Sequence, residues 1–338
     1  MKTCISAAKK KCMYRCAAIC LSVSVLSLVS CTKDSAATDP GQDTTELAGR
    51  FMGQVPPERG PEVFAPGIIS GGRNDGYVVE TPDGQEIFFM EVVTRNNQGF
   101  ATILHSTVVN GFWTKPTVAP FSGTYSDGPL AIHPDGTRLY FSSVRPIDPA
   151  ESTHESNIWY VEKVGGVWGE PKSIGRPING RNNTSGPSVT SSGTLYFTEI
   201  ASDGRNEIFR SELLDGRYQE PERLPSTVNS SRQQYDSYVA PDESFLIYGA
   251  YLRPDTFGET DLYIAFRDEA GTWTQSMNMG SLVNTSGNEG TATITCDTKY
   301  IFYSKYNSAE NRTDIYWFSK EYIEDLKLGK KAEKGVER

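Results

Sequence analysis

The sequence has few histidines and lacks the motifs of common nucleophilic and metal centres. Its three histidines, His105, His133 and His154, show no metal-ligating spacing and have no cysteine partner. The chain contains no Gly-x-Ser-x-Gly elbow, which argues against a serine peptidase of the α/β-hydrolase type, and no phosphate-binding P-loop. These absences leave little sign of catalysis.

A long apolar run is also missing. The most apolar stretch covers about residues 16–29, follows a positive segment and is too short for a permanent transmembrane helix. It ends in Leu28-Val29-Ser30-Cys31, which resembles the lipobox of bacterial lipoproteins. We therefore predict a signal peptide over residues 1–30, starting at Met1 or Met13, and a lipid on Cys31. The alternative is an ordinary secretory signal with an incidental cysteine.

Cleavage at this point would change the charge and the cysteine content. It removes five basic and no acidic residues, so the formal net charge of −9 becomes −14. Such an acidic protein repels nucleic acid and anionic lipid surfaces, so we expect neither as a partner and expect membrane contact through the lipid alone. Cys296 would be the only unmodified cysteine, which excludes an intrachain disulfide.

The segment after the predicted lipidation site lacks any apolar pattern. Residues 32–46 are polar, so residues 31–46 are expected to form the lipidated cysteine and a flexible tether. Thr32 carries no retention signal of the aspartate type, which favours the outer membrane, with either a periplasmic or a surface-facing position.

Five segments of the remaining chain share one plan, in which a turn leads into an alternating apolar strand. Successive turns lie 50 to 57 residues apart, at Asp83-Gly84, Asp135-Gly136, Ser192-Gly193, Asp242-Glu243 and Asp297-Thr298. Asp-Gly between two apolar runs is a strong hairpin signal, because glycine accepts the positive φ of a tight turn. Each turn is therefore expected to join two antiparallel strands.

A third strand follows in every repeat and a fourth in four of the five. Four antiparallel strands repeated radially form a propeller blade, so the sequence predicts an all-β fold, a single β-propeller over residues 47–318 with five blades. The fifth repeat passes instead into a short helix and tail over residues 319–338. The segment Glu62–Pro66 is expected to supply its missing strand and so close the ring.

Three of the turns carry a recognisable motif. Thr81-Pro82-Asp83-Gly84, His133-Pro134-Asp135-Gly136 and Ala240-Pro241-Asp242-Glu243 resemble the Pro-Asp signature of WD40-like (PD40) repeats of the TolB-like propeller superfamily. The third and fifth repeats depart from this signature, and the resemblance covers about residues 60–318. It implies a rigid platform that is usually used for binding, with a few enzymatic members.

Polar residues recur where each innermost strand is expected to begin. They occur at Asp75-Gly76, Asp127-Gly128, Ser185-Gly186, Asp236-Ser237 and Glu289-Gly290. If innermost strands line the axis, these positions form a ring at one mouth of the channel. Asp75, Asp127, Asp236 and Glu289 are therefore the candidate ligand-binding or catalytic residues, able to hold Ca²⁺ or to act on a sugar. The alternative is that each acid caps its own turn.

Two arginines lie in equivalent loops after the second strand. Arg145 and Arg253 could grip a carboxylated ligand bidentately, and salt bridges to nearby acids explain them equally well. The turn aspartates and the repeated Trp113, Trp168 and Trp273 are expected to serve structure. No cofactor other than a Ca²⁺ ion is suggested, and no residue set specifies a metal site.

These observations favour a non-catalytic binding or scaffold lipoprotein of the cell envelope, with a glycan, peptide or envelope protein as its ligand. The alternative is a carbohydrate-active enzyme, a glycoside hydrolase or lyase, that uses the carboxylates at the channel mouth. Two carboxyl groups about 5–10 Å apart in an open pocket would favour hydrolysis. Carboxyl groups buried in hydrogen bonds would count against it.

Overall fold

The structure is a computed structural model that describes residues 47–58, 60–148, 155–180 and 182–329. The predicted signal peptide, the predicted lipidated Cys31 with its tether, and the last nine residues lie outside the described residues. All of the described residues belong to the unit that begins at Glu46.

The described chain starts with a short 3-10 turn, Arg50–Gly53, and strand β1 (Glu62–Val63). The first blade follows, and its strands are β2 (Asn74–Glu80), β3 (Glu86–Arg95), β4 (Gln98–Val109), β5 (Phe112–Trp113) and β6 (Thr117–Val118). Blade 2 contains β7 (Asp127–Ile132), β8 (Arg138–Ser143), β9 (Asn157–Val164), β10 (Val167–Trp168) and β11 (Lys172–Ser173). In both blades the outer edge consists of two short strands.

Blade 3 contains β12 (Asn183–Val189), β13 (Leu195–Ile200), β14 (Asn206–Ser211) and the short β15 (Leu213–Leu214), β16 (Arg217–Tyr218) and β17 (Glu222–Arg223). Blade 4 contains β18 (Gln234–Val239), β19 (Phe245–Tyr251), β20 (Thr260–Phe266) and β21 (Met277–Asn278). Blade 5 contains β22 (Glu289–Ile294), β23 (Tyr300–Asn307) and β24 (Arg312–Ser319), and helix α1 (Glu321–Lys327) follows it.

Among the described residues, five antiparallel sheets form the five blades and β15 and β16 form a small two-stranded sheet beside blade 3, which confirms the predicted five-bladed propeller. The N-terminal strand closes the ring as expected, because β1 pairs with β24 through Glu62 opposite Trp317 and Val63 opposite Tyr316. Phe64, which follows β1, is fully buried against Phe302 and Trp317. The chain ends of the propeller are thus joined by both backbone pairing and packing.

The two faces of the propeller differ in the segments that form them. We call the entry face the one at which the innermost strands β2, β7, β12, β18 and β22 begin; it also carries the connections from second to third strands. The turn face carries the five tight turns between first and second strands, together with the hairpins between third and fourth strands. In blade 1, a hydrogen bond connects the tight turn to the neighbouring hairpin, because Val108 N donates to Gln85 O at 2.9 Å.

The turn aspartates hold the tight turns by local hydrogen bonds. Asp83 Oδ1 accepts from Gln85 N at 3.0 Å, and Asp135 and Asp242 accept from Thr137 N and Ser244 N at 2.8 and 3.0 Å. In blade 2, glycine is needed at position 136, because its φ is 75° and an added Cβ would lie 2.8 Å from Pro82. The Pro-Asp motif is therefore a turn motif with contacts to the next blade.

Three asparagines join consecutive blades by a repeated contact. Asn179 accepts from Ile158 N at 3.0 Å and donates to Ile158 O at 2.8 Å, so its amide clasps the third strand of blade 2. Asn229 and Asn284 clasp Ile208 and Leu262 in the same way in the next two blades. These side chains satisfy buried backbone groups that the short outer strands leave unpaired.

Glu86 provides a polar contact between the first two blades. Its carboxylate lies 2.5 Å from Lys163 Nζ and 3.2 Å from His105 Nε2, and it accepts from Trp168 Nε1 at 3.2 Å. Burial would raise the pKa of Glu86, but the hydrogen bonds and charges of His105 and Lys163 outweigh burial and lower it to about 2. Trp113, Trp168 and Trp273 are buried, as expected for blade packing.

Candidate functional site on the channel axis

Each innermost strand carries a β-bulge near its start. In β2 the register shifts between Gly76 and Val78, and the other four innermost strands shift at corresponding places. The residues at the bulges are Tyr77, Pro129, Gly186, Asp236 and Thr291. All of these except Pro129 have positive φ. Such a bulge re-aims the local chain, and here it brings Tyr77, Asp236 and Thr291 of three different blades together.

The register also corrects the ring of equivalent residues expected from the sequence. Asp75, Asp127 and Glu289 pair with Glu91, Ser143 and Lys305, two places before their bulges. Thr184 and Gln234, which pair with Glu199 and Ala250, are their equivalents in blades 3 and 4. Ser185 and Asp236, which were expected in this ring, lie one and two places further along their strands. The spacing of residues in the sequence does not show how many residues precede each bulge, so the true equivalence could not be assigned from it.

The residues of this ring are buried and brace the loops that enter the blades. Asp75, Asp127 and Glu289 are 3%, 0% and 1% exposed. Asp75 Oδ2 accepts from Gly71 N at 3.3 Å, and Glu289 accepts from Thr285 N at 3.1 Å and from Thr285 Oγ1 at 2.5 Å. Gln234 makes the same kind of contact by donating to Ser231 O at 2.8 Å.

Asp127 has a second partner in Arg145. Arg145 Nη2 lies 2.8 Å from Asp127 Oδ1 and also donates to Phe121 O at 3.0 Å, while Ser122 Oγ donates to Asp127 Oδ2 at 2.8 Å. The guanidinium is buried over the Phe141 ring, 5.1 Å from its centroid. The ion pair therefore holds the loop before β7 against the loop after β8.

Arg253 is engaged in a similar way in blade 4. Its Nη1 donates to Ser276 Oγ at 2.9 Å, its Nε lies 3.4 Å from Asp255 Oδ1, and its guanidinium lies 4.0 Å from the centroid of the Tyr263 ring. Both arginines thus make contacts within their own blades.

The candidate carboxyl groups do not share one electrostatic environment. Burial raises the pKa of Asp75 to about 8, with a smaller contribution from the nearby Glu91 and Asp314. Burial also raises the pKa of Glu289. Asp236 is partly buried, and burial raises its pKa to about 6. Within the described ranges, no three histidine, cysteine or carboxylate groups lie close enough together to hold a metal ion.

Tyr77 and Asp236 meet across the axis. The Tyr77 hydroxyl faces the Asp236 carboxylate of blade 4, and burial and this carboxylate together raise the pKa of Tyr77 well above its ordinary value. Tyr77 N donates to Thr291 Oγ1 of blade 5 at 3.4 Å. An added Cβ at Gly186 would lie 3.4 Å from the backbone of Asp236, so the bulges of blades 3 and 4 also touch. The bulge residues therefore narrow the channel at the entry face.

Beyond Tyr77, on the turn-face side, the axis widens into a cavity of about 190 Å³. Val79, Leu130, Val189, Val239 and Ile294, one residue from each blade, lie in its wall. Pro82, Pro134 and Pro241, the prolines of the Pro-Asp turns, lie around its opening. We refer to this space as the axial cavity. The small and apolar residues of the innermost strands are the sequence signal for this cavity, which was not predicted from them.

No helix among the described residues could span a lipid bilayer.

Neither a protein-family model nor a curated protein matches this chain. Among solved structures, the chain is similar to the protein BT0996, solved as an RGII complex, with a TM-score of 0.50 and 10% identity over 78% of this chain and 92% of that one. It is also similar to a putative TolB from Agrobacterium tumefaciens, with a TM-score of 0.48 and 11% identity over 74% and 78% of the two chains. The arabinanase Arb43A of Bacillus subtilis has a TM-score of 0.45 and 12% identity over 72% and 92%. At 10% identity, the likeness to the first of these proteins shows a shared fold and nothing further.

Proposed function

We propose that this protein is a lipoprotein of the cell envelope, anchored at the outer membrane through Cys31, whose propeller binds a ligand and does not cleave it. The ligand would be a glycan, a peptide or another envelope protein. The observation that carries the proposal is the burial and hydrogen bonding of the carboxylates near the channel mouth. Asp75, Asp127 and Glu289 are buried and bonded to their own loops.

Glycoside hydrolysis needs two carboxyl groups that face the same opening, one of which has a raised pKa. Asp236 is the only one of the four candidates that the structure leaves partly exposed within the described residues. Its raised pKa would suit a general acid, but the buried ring supplies no second carboxylate to act with it. Binding without catalysis is therefore the better account of this arrangement.

The first described residues lie on the turn face of the propeller. Leu47 O accepts from Trp113 N at 2.9 Å, and Gly49 O accepts from Trp113 Nε1 at 2.8 Å, both beside the hairpin of blade 1 on the turn face. Arg50 lies 3.3 Å from Asp297 in a tight turn of the same face. The described chain therefore enters the propeller on the turn face, opposite the entry-face loops.

The entry face carries exposed apolar side chains in its loops. Leu252 and Phe257, in the connection between β19 and β20, are 59% and 50% exposed. Tyr125 and Ile147 are exposed in loops beside Arg145. Apolar and aromatic groups of this kind are what a macromolecular ligand buries at the centre of an interface. We propose that the ligand contacts these loops.

Binding and cleavage can be separated in one experiment. Residues 32–338 are immobilised and incubated with a polysaccharide and glycoprotein panel, with and without calcium, and both the retained material and the soluble products are analysed by mass spectrometry. We expect retention without released oligosaccharides, and loss of retention in the double variant Leu252→Ser, Phe257→Ser. Val164→Ser is the matched control, because Val164 is a 75% exposed valine on the turn face.

Released oligosaccharides that disappear in the Asp236→Asn variant would replace this proposal with the carbohydrate-active enzyme. The anchor is tested separately in the producing bacterium by labelling with a palmitate analogue. We expect label and membrane association in the wild-type protein and neither in Cys31→Ser. Membrane association of an unlabelled Cys31→Ser protein would refute lipid anchoring.

A further inference from the structure

The axial cavity has the character of a preformed site for a small molecule. All five blades contribute apolar wall residues to it, and its opening lies among the tight turns of the turn face. An apolar cavity of about 150 Å³ in a protein interior stays dry and accepts benzene. The axial cavity, at about 190 Å³, is therefore large enough for a ring with one or two substituents.

Two of the buried hydroxyl groups in this wall have no hydrogen-bond partner among the described residues. Tyr77 and Ser237 are each 4% exposed and line the axial cavity. Although the Tyr77 hydroxyl faces Asp236, neither Tyr77 Oη nor Ser237 Oγ has a hydrogen-bond partner among the described residues. A buried hydroxyl without a partner costs free energy, and a ligand group that bonds to it recovers this cost. Tyr77 also separates the cavity from the entry mouth, because its ring reaches Asp236 across the axis.

The wall excludes ligands that carry a negative charge. The described residues that line the cavity include no lysine or arginine. They do include Glu80, a buried acid whose Oε2 accepts from Cys296 N at 3.0 Å. An anion placed among these groups would lose its hydration without gaining an opposite charge.

We propose that the axial cavity binds a small, neutral and mainly apolar molecule with a single hydroxyl group, which hydrogen-bonds to Tyr77 and Ser237. A phenol or a short branched alcohol has this chemistry. The site is distinct from the entry-face loops, and the inference does not depend on the proposed function of those loops or on lipid anchoring.

Phenol and toluene are suitable probes, because they share a ring and differ in the hydroxyl. Their affinities for residues 32–338 are measured by ligand-observed NMR titration, with the melting temperature of each variant recorded as a control for folding. We expect phenol to bind more tightly than toluene. Tyr77→Phe should weaken phenol binding about threefold to tenfold, the effect of one lost hydrogen bond, and leave toluene binding unchanged.

Two further variants locate the site. Ala131→Leu fills the cavity from its wall and should abolish the binding of both probes. Tyr303→Phe is the matched control, because the buried Tyr303 hydroxyl also lacks a partner in the described chain but does not line the cavity, so phenol binding should be unchanged. The inference is overturned if neither probe binds at millimolar concentration, if Ala131→Leu still binds them, or if Tyr77→Phe binds phenol as well as the wild-type protein.

Discussion

Replacing Asp75 with asparagine should stabilise the propeller at neutral pH. Burial raises the pKa of Asp75 to about 8, so the folded protein holds this proton at pH values where the unfolded chain has released it. The folded state is therefore favoured at low pH, and this contribution is lost as the pH rises from about 4, the unfolded value, to about 8. Asparagine resembles the protonated acid and cannot ionise in the unfolded chain.

The size of the effect follows from the pKa difference. Each unit corresponds to about 1.4 kcal/mol, so about three units between pH 4 and pH 7 amount to an upper limit of about 4 kcal/mol. Asparagine can still accept from Gly71 N, and its amide faces the acids Glu91 and Asp314. We therefore expect Asp75→Asn to raise the free energy of unfolding by about 2 to 4 kcal/mol at pH 7, and to leave it unchanged near pH 4.

The measurement is urea unfolding followed by tryptophan fluorescence at several pH values between 4 and 8. Asp127→Asn is the matched control, since Asp127 occupies the equivalent position in blade 2. It should destabilise the protein by about 3 to 5 kcal/mol, because it leaves the buried Arg145 guanidinium without its carboxylate. The reasoning is refuted if Asp75→Asn lowers stability at pH 7, or if its effect does not depend on pH.

Three further predictions concern the packing of the blades. Glu86→Gln should lower the free energy of unfolding by about 2 kcal/mol at pH 7. The wild-type protein should lose this stabilisation between about pH 4 and pH 2, where Glu86 becomes protonated, and the variant should show no such loss. In urea unfolding the partly exposed Glu162→Gln should show little change, and equal effects of the two substitutions would contradict this account. Phe64→Ala should lower the free energy of unfolding by about 3 to 5 kcal/mol in chemical denaturation, whereas Val55→Ala, at an exposed position, should change it little. A small effect of both substitutions would mean that closure of the ring adds little stability. Cys296 should react with iodoacetamide at pH 8 much more slowly than free cysteine, because burial raises its pKa to about 11; a comparable rate would show that the thiol is accessible.

The repeat and its turns could be predicted from the sequence because their causes are local. An Asp-Gly turn between alternating apolar runs needs only neighbouring residues, as the bond from Gln85 N to Asp83 shows. The count of turns then gave the number of blades. The strand at Glu62–Val63 could also be assigned, since the fifth repeat lacked an outer strand and a free edge has to be covered.

The candidate site could be predicted only in part. Asp75, Asp127 and Glu289 do occupy equivalent positions, but Asp236 lies two places further along its strand. The bulge that shifts it depends on the register with β19, which the spacing of residues does not give. That Asp127 faces Arg145 could not be read from the sequence either, because two loops have to meet for this contact.

The sequence by itself determined the repeated blade, the tight turns and the closure of the ring, since each follows from turn chemistry and from the alternation of apolar residues along one strand. Only the tertiary structure decided which groups share the axis. Tyr77 N donates a hydrogen bond to Thr291, which lies 214 residues later in the chain. The Tyr77 hydroxyl lies beside Asp236 of a third blade. The axial cavity and its unpartnered hydroxyls arise from five strands that are distant in sequence, because ring closure alone brings them together.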